Sequence, residues 1–161
     1  MLLNLSRKKS PNISLQAAMT LTQWSERTIR RRVADGSLPC VSGVPFSNKT
    51  LISLESIKAD ICLTLSDEDI ELLKSADAGS AQAQTEMALL FLENGKEKSA
   101  IYWLEQAAKQ NFPDALHWMG NCYLRGEGFA KDDNLAVMWI AKAASLGHSV
   151  AKLQIEALSR K

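Results

Sequence analysis

The strongest chemical signal in the chain is the run Ser25-Glu26-Arg27-Thr28-Ile29-Arg30-Arg31-Arg32-Val33, four guanidinium groups within nine residues. Ser25 is a good N-cap and Asp35-Gly36 a good stop, so the run predicts a short helix. At about 100° per residue, Ile29 and Val33 share one face, and Trp24 just before it closes the same small core. Arg27 and Arg31 fall opposite, Arg30 to one side and Arg32 along the other flank. Like charges one turn apart repel, so this helix gains most from a polyanion or an acidic surface that neutralises it.

No comparable signal exists for catalysis. His117 and His148 are the only histidines, and neither stands in a Ser-His-acid or Cys-His pattern. Cys40, Cys62 and Cys122 are odd in number and lack metal-ligand spacing, which reads as reduced thiols of a cytoplasmic protein with no metal site. An isolated Gly126-x-Gly128 is too little for a phosphate loop. The expectation is a protein without catalytic residues or cofactor.

The elements that position the arginines belong to a divided chain. Of its 161 residues, 46% are apolar and 23% charged, as in ordinary soluble domains. Residues 1–60 carry nine basic and four acidic side chains, and residues 61–161 carry ten and fourteen, so a surplus of five positive charges precedes a surplus of four negative ones. That asymmetry points to two tasks, with an anionic partner for the first half. The N-terminal apolar residues precede the basic cluster Arg7-Lys8-Lys9, the reverse of a signal peptide, and no long apolar run follows, so neither secretion nor a membrane span is expected.

The second half contains a repeat. Ala100, Trp103, Ala107 and Ala108 recur 36 residues on as Ala136, Trp139, Ala143 and Ala144, while Ala83, Met87, Ala88 and Phe91 recur 32 residues on as Ala115, Met119, Gly120 and Tyr123. Two offsets mean that a pair of helices repeats and that the loop within the first pair is four residues shorter. The small residues (Ala83, Ala88, Ala100, Ala107, Ala115, Gly120, Ala136, Ala143) are expected at close helix contacts. Met87, Phe91, Trp103, Leu104, Met119, Tyr123 and Trp139 are expected to fill the space between pairs, with Gly126 and Gly128 shaping the loop. Val150, Ala151, Leu153, Ile155 and Leu158 read as one closing helix, on which a second subunit would pack if its outer face stays apolar.

The stretch Ala115-x-x-x-Met119-Gly120-x-x-Tyr123-x-x-Gly126-x-Gly128-Phe129, followed by Asp132-x-x-x-Ala136-x-x-Trp139-Ile140-x-Lys142-Ala143-Ala144-x-x-Gly147-His148, resembles one whole Sel1-like repeat. Ala83 to Asn111 resembles the same repeat without its glycine pair, and Lys74 to Gln82 the closing half of an earlier one. The resemblance implies a tetratricopeptide-like solenoid of antiparallel helix pairs over residues 64–161, about two and a half repeats, that binds a protein partner and has no catalytic residues.

Before it, residues 1–12 read as a basic arm and residues 13–63 as a domain. Ser14 is an N-cap for a helix through Leu15, Ala17, Ala18 and Leu21, the arginine helix follows, and Leu38 to Ile52 alternates turn and β-prone residues like a small hairpin or wing. Ser53 or Ser56 then opens another helix through Ile57 and Ile61. This order resembles the excisionase and MerR type of winged helix-turn-helix, with Gln23 where the tight turn usually has glycine and only Lys49 left in the wing. The resemblance implies double-stranded DNA as partner: Arg27, Arg30 and Arg31 would meet guanine or phosphate, Ser25 and Thr28 phosphate at the helix N-terminus, and Arg7, Lys8, Lys9 and Lys49 the backbone or minor groove. The alternative is a pure protein-interaction adaptor in which this domain docks on an acidic surface. The predicted fold class is therefore mainly α, a winged helix-turn-helix followed by a short solenoid.

Overall fold

Serine hydroxyls begin four of the described helices, one of them through Ser80 Oγ, which accepts from the Ala83 amide at 3.3 Å. Ser14 Oγ accepts from the Ala17 amide at 3.1 Å, Ser25 Oγ from the Thr28 amide at 3.1 Å, and Ser66 forms a full capping box with Asp69. Each satisfies amide groups that the first turn of a helix otherwise leaves without a partner. The computed structural model describes residues 10–41 and 50–160, which divide between Cys62 and Leu63 into two compact units.

The first unit contains strand β1 (Asn12–Ser14), helices α1 (Leu15–Thr22) and α2 (Glu26–Ala34), strand β2 (Leu51–Ser53) and a 3-10 helix (Leu54–Asp60). β1 and β2 pair antiparallel, with Ile13 opposite Ile52. Ile13, Ala17, Ala18, Leu21, Ile29, Ile52 and Ile57 make the core. Two expectations are corrected here. Asn12 is not the end of an arm but the first residue of a strand, because Ile13 needs a partner strand to enter the core. The segment from Ser53 is a 3-10 helix that stops before Ile61, and Ser53 makes no side-chain cap. Of the anticipated hairpin, the described part is a bridge between Cys40 and Ile52 and a bond from the Val41 amide to the Leu51 carbonyl at 2.9 Å. The wing residues 42–49, with Lys49, and the arm residues Arg7, Lys8 and Lys9 lie outside the described residues.

Between α1 and α2 the chain turns in three residues. Gln23 takes a left-handed φ of 61° and its amide bonds back to Met19, while Thr22 Oγ1 accepts from the Trp24 amide at 3.2 Å. A side chain in that conformation costs about 1–2 kcal/mol relative to glycine. The turn is thus made in the usual shape by an unusual residue.

The second unit is a file of six helices: α3 (Asp67–Asp77), α4 (Ala81–Glu93), α5 (Glu97–Lys109), α6 (Pro113–Arg125), α7 (Asp133–Ser145) and α8 (Ser149–Ser159). Each packs mainly on its neighbours in sequence. The loop Asn94–Lys96 joins α4 to α5, and the longer Gly126–Asp132 joins α6 to α7, the four-residue difference that the two repeat offsets require. Ala83, Ala88, Ala100, Ala107, Ala115, Gly120, Ala136 and Ala143 are all buried, as are Met87, Phe91, Trp103, Leu104 and Met119. Tyr123 and Trp139 depart from the filler role. Both are half-buried: Tyr123 stacks on Phe129 at 4.3 Å between centroids, pinning the loop that follows α6, and the Lys142 ammonium lies 5.8 Å from the Trp139 ring.

The tightest crossing is at Gly120, where a β-carbon would lie 2.5 Å from Ile140 Cγ1 and 3.0 Å from the Ala136 carbonyl oxygen. Gly120→Ala should therefore push α6 and α7 apart and cost about 1–3 kcal/mol, the usual cost of overpacking. Urea denaturation of the variant checks this, and a cost for Gly120→Ala/Ile140→Ala smaller than the sum of the two single costs would locate the clash. An unchanged midpoint would mean that the crossing has slack the structure does not display.

Candidate functional site

On α2 the arginines separate by what they touch. Arg27 and Arg31 are exposed. Arg30 is half-exposed and donates from Nε to Glu26 Oε1 at 2.7 Å, an i, i+4 pair along its own helix. Arg32 lies over the Trp24 ring, its guanidinium carbon 4.0 Å from the centroid, so Trp24 serves as an arginine platform more than as core. Asp35 follows at the helix end. Its carboxyl is held below the ordinary range chiefly by hydrogen bonds from Ser37, with Arg31 and Arg32 adding to the effect. The Ser25 and Thr28 hydroxyls lie 2.9 Å apart and Ser25 caps the helix, so both are already engaged at the N-terminus. The structure thus brings Ser25, Arg27, Thr28, Arg30 and Arg31 together on one helix and leaves Arg27 and Arg31 as its outward charges.

The solenoid offers a second surface. The offsets of 32 and 36 residues place Glu86, Trp118 and Gln154 at one repeat position on α4, α6 and α8, and Leu89, Asn121 and Ala157 at another one turn further along. Glu86 and Ala157 are exposed, and Leu89, Trp118, Asn121 and Gln154 are half-exposed. Sequence reasoning passed over this row and over Glu26. The i, i+4 spacing from Glu26 to Arg30 and the repeat offsets themselves are the signals that reveal them.

Beside that row sits a pair of imidazoles. His117 and His148 stack at 4.3 Å with 28° between ring planes. His148 Nδ1 accepts from the Ala151 amide at 3.1 Å and so caps α8, which confines its proton to Nε2, 3.5 Å from Asp114 Oδ1. His117 Nε2 lies 3.0 Å from Gln154 Oε1. Both rings therefore tie the second helix pair to α8, the packing role that their position at a repeat junction suggests.

The remaining predicted residues shape the backbone. Gly126 ends α6 with φ of 72°, and Gly128, at φ of 75°, lets the loop lie on α5: its amide donates to Glu97 Oε2 at 2.8 Å, and a β-carbon would lie 2.6 Å from Ile101 Cγ1. Trp103, Ala143 and Gly120 are buried, Tyr123 stacks on Phe129, and Trp139 and Ala144 are half-buried. Burial pushes the Cys122 thiol up to about 12, which keeps it protonated and unreactive. Among the described residues no cluster of three or more histidine, cysteine or acidic side chains is placed to hold a metal ion, and no helix is long and apolar enough to cross a membrane.

Antiparallel helix pairs that repeat in sequence and stack on their neighbours define a helical-repeat solenoid. Residues 81–112 and 113–148 each match the Sel1 repeat. Among solved structures, a Sel1 repeat protein from Oxalobacter formigenes is 27% identical, with 55% of this chain and 74% of that one covered and a TM-score of 0.49. A protective antigen present in uropathogenic Escherichia coli strains, displaying an SLR fold, is 23% identical over 80% of this chain, with a TM-score of 0.50. The match spans 24% of that longer chain. No curated protein matches the sequence.

His117 makes stability depend on pH. Burial, and next the neighbouring His148, holds the His117 pKa below its usual value of about 6.5, against opposing contributions from the Gln154 hydrogen bond and Asp114. The unfolded chain then takes up a proton near that value while the folded chain does not. Stability should fall as pH drops below it. Urea midpoints at about pH 7.5 and about pH 5.5, on either side of the free-histidine value, measure the slope, which should be smaller in His117→Gln. Equal slopes in the two proteins would remove His117 from the account.

Proposed function

We propose that this chain is a non-enzymatic protein-interaction adaptor, in which the solenoid takes a protein partner and the basic α2 helix docks on an acidic surface. The observation that carries the reading is the row Glu86, Trp118 and Gln154, equivalent positions on α4, α6 and α8 by the repeat offsets, with a half-exposed tryptophan at its centre. Tryptophan framed by polar side chains is the commonest kind of interface hot spot. Sel1 repeats in both pairs support it, since stacked repeats are built to present extended surfaces. On the α2 side, Glu26 pairs with Arg30 and offsets its charge, while Arg32 keeps its charge over the Trp24 ring.

A second reading retains double-stranded DNA as a partner of α2, and it rests on Arg27 and Arg31 standing exposed opposite the buried Ile29. The two readings differ in what α2 binds. Fluorescence anisotropy against a mixed-sequence duplex at two salt concentrations tests the second: saturable binding that falls steeply with salt and disappears in Arg27→Ala/Arg30→Ala/Arg31→Ala is its expected result. No binding at either salt would remove it and leave the adaptor.

For the adaptor, the full chain used as bait should recover a partner in stoichiometric amount. Trp118→Ala should weaken that complex by about 30-fold or more, the loss of a hot spot of about 2 kcal/mol, while the circular dichroism spectrum stays unchanged. A complex indifferent to Trp118→Ala would refute the proposed face.

A further inference from the structure

Three of the four tryptophans are partly exposed, and two of those three have a cation at the ring. The Arg32 guanidinium carbon lies 4.0 Å from the Trp24 centroid, and the Lys142 ammonium 5.8 Å from that of Trp139. Trp118 is the third, and among the described residues no ammonium or guanidinium lies over it. Its ring neighbour is His117, edge-on at 6.4 Å between centroids, whose burial lowers its pKa and favours the uncharged imidazole. The ring is left without the charge that the other two have.

The positions around it carry carboxylates instead. Asp114 stands one turn before Trp118 on α6, with its side chain 61% exposed and His148 Nε2 no nearer than 3.5 Å. Glu86 holds the equivalent of Trp118 on α4, a helix that α6 touches, and is exposed. Gln82 Nε2 donates to Glu86 Oε1 at 2.9 Å and so holds that carboxylate in place. Further along the same stripe of α6 comes Arg125, which lies 3.8 Å from Glu127. The face is therefore acidic around an open indole, in the half of the chain that carries the surplus of four negative charges.

We infer that Trp118 seats an arginine side chain of the solenoid's protein partner, stacked on the indole with its charge toward Glu86 and Asp114. This names the partner chemistry of the adaptor face, and so rests on that reading. A guanidinium is planar and weakly hydrated, which lets it cover an aromatic ring as Arg32 covers Trp24 in this same chain. Its N–H groups still donate in the plane, toward carboxylates at the ring's edge. A partner that is acidic or wholly apolar here would set like charges together or dehydrate both carboxylates without a counter-ion. The occupant is accordingly a basic, arginine-bearing segment.

Nitrogen-15 NMR of the full chain tests it, because the four tryptophans give one indole N–H signal each and the one missing in Trp118→Phe belongs to Trp118. The probe is a short peptide of alternating serine and arginine, compared with its citrulline counterpart, which keeps the planar shape and loses the charge. The expected result is a saturable shift of the Trp118 signal with the arginine peptide, about tenfold weaker in affinity with citrulline and weaker at higher salt. Glu86→Gln/Asp114→Asn should weaken it by about fivefold. Glu86→Gln alone, which keeps an acceptor for Gln82, should show part of that loss and serves if the double variant does not fold. Equal affinity for the two peptides overturns the inference, as does binding that the neutral variants leave unchanged or a Trp118 signal that stays fixed up to millimolar peptide. The adaptor reading is judged apart from this. A recovered partner complex weakened by Trp118→Ala but indifferent to Glu86→Gln/Asp114→Asn would keep the face and remove its basic occupant.

Discussion

The solenoid rests on one close approach, the crossing of α6 and α7 where the Gly120 backbone meets Ile140 and the Ala136 carbonyl. Helix pairs can stack in file only if each pair is thin, and a pair is thin only where a small residue removes the side chain from the crossing. Ala88 holds the corresponding place in the preceding pair and is fully buried. With that distance set, Ile140 and Ala143 meet α6, and the loop after α6 is left at the height where Gly128 reaches Ile101 and Glu97.

The junctions between pairs use a different kind of contact. His148 caps α8 with one ring nitrogen, stacks on His117, and directs the other nitrogen toward Asp114, so a single side chain ties three segments. Earlier in the file the same task is done by amides: Gln110 donates to the Gly79 carbonyl and to Gln84, which itself donates to the Ala76 carbonyl. Uncharged hydrogen bonds hold one junction and the next includes His117, whose burial lowers its pKa and makes the α8 end the more sensitive to acid.

In the first unit the charge pattern that suggests a polyanion is partly resolved within the protein. Glu26 and Trp24 engage Arg30 and Arg32, and Asp35 stands at the end of the helix, leaving Arg27 and Arg31 as the outward charges. Four arginines counted along a sequence are thus not four charges offered to a partner. That difference, together with the repeats, moves the weight of the functional reading from nucleic acid toward protein surfaces.

Local chemistry made much of this legible from the residues alone. Ser14 and Ser25 had to cap because a helix needs an acceptor at its first amides, and the two repeat offsets had to mean loops of different length because helix pairs keep their own spacing. What depends on distant partners was not legible. The pairing of β1 with β2 joins segments separated by most of the first unit, so Asn12 looked like the end of an arm. Tyr123 and Trp139 carry the same apolar signature as Phe91 and Trp103, yet only tertiary position decides which ring is covered.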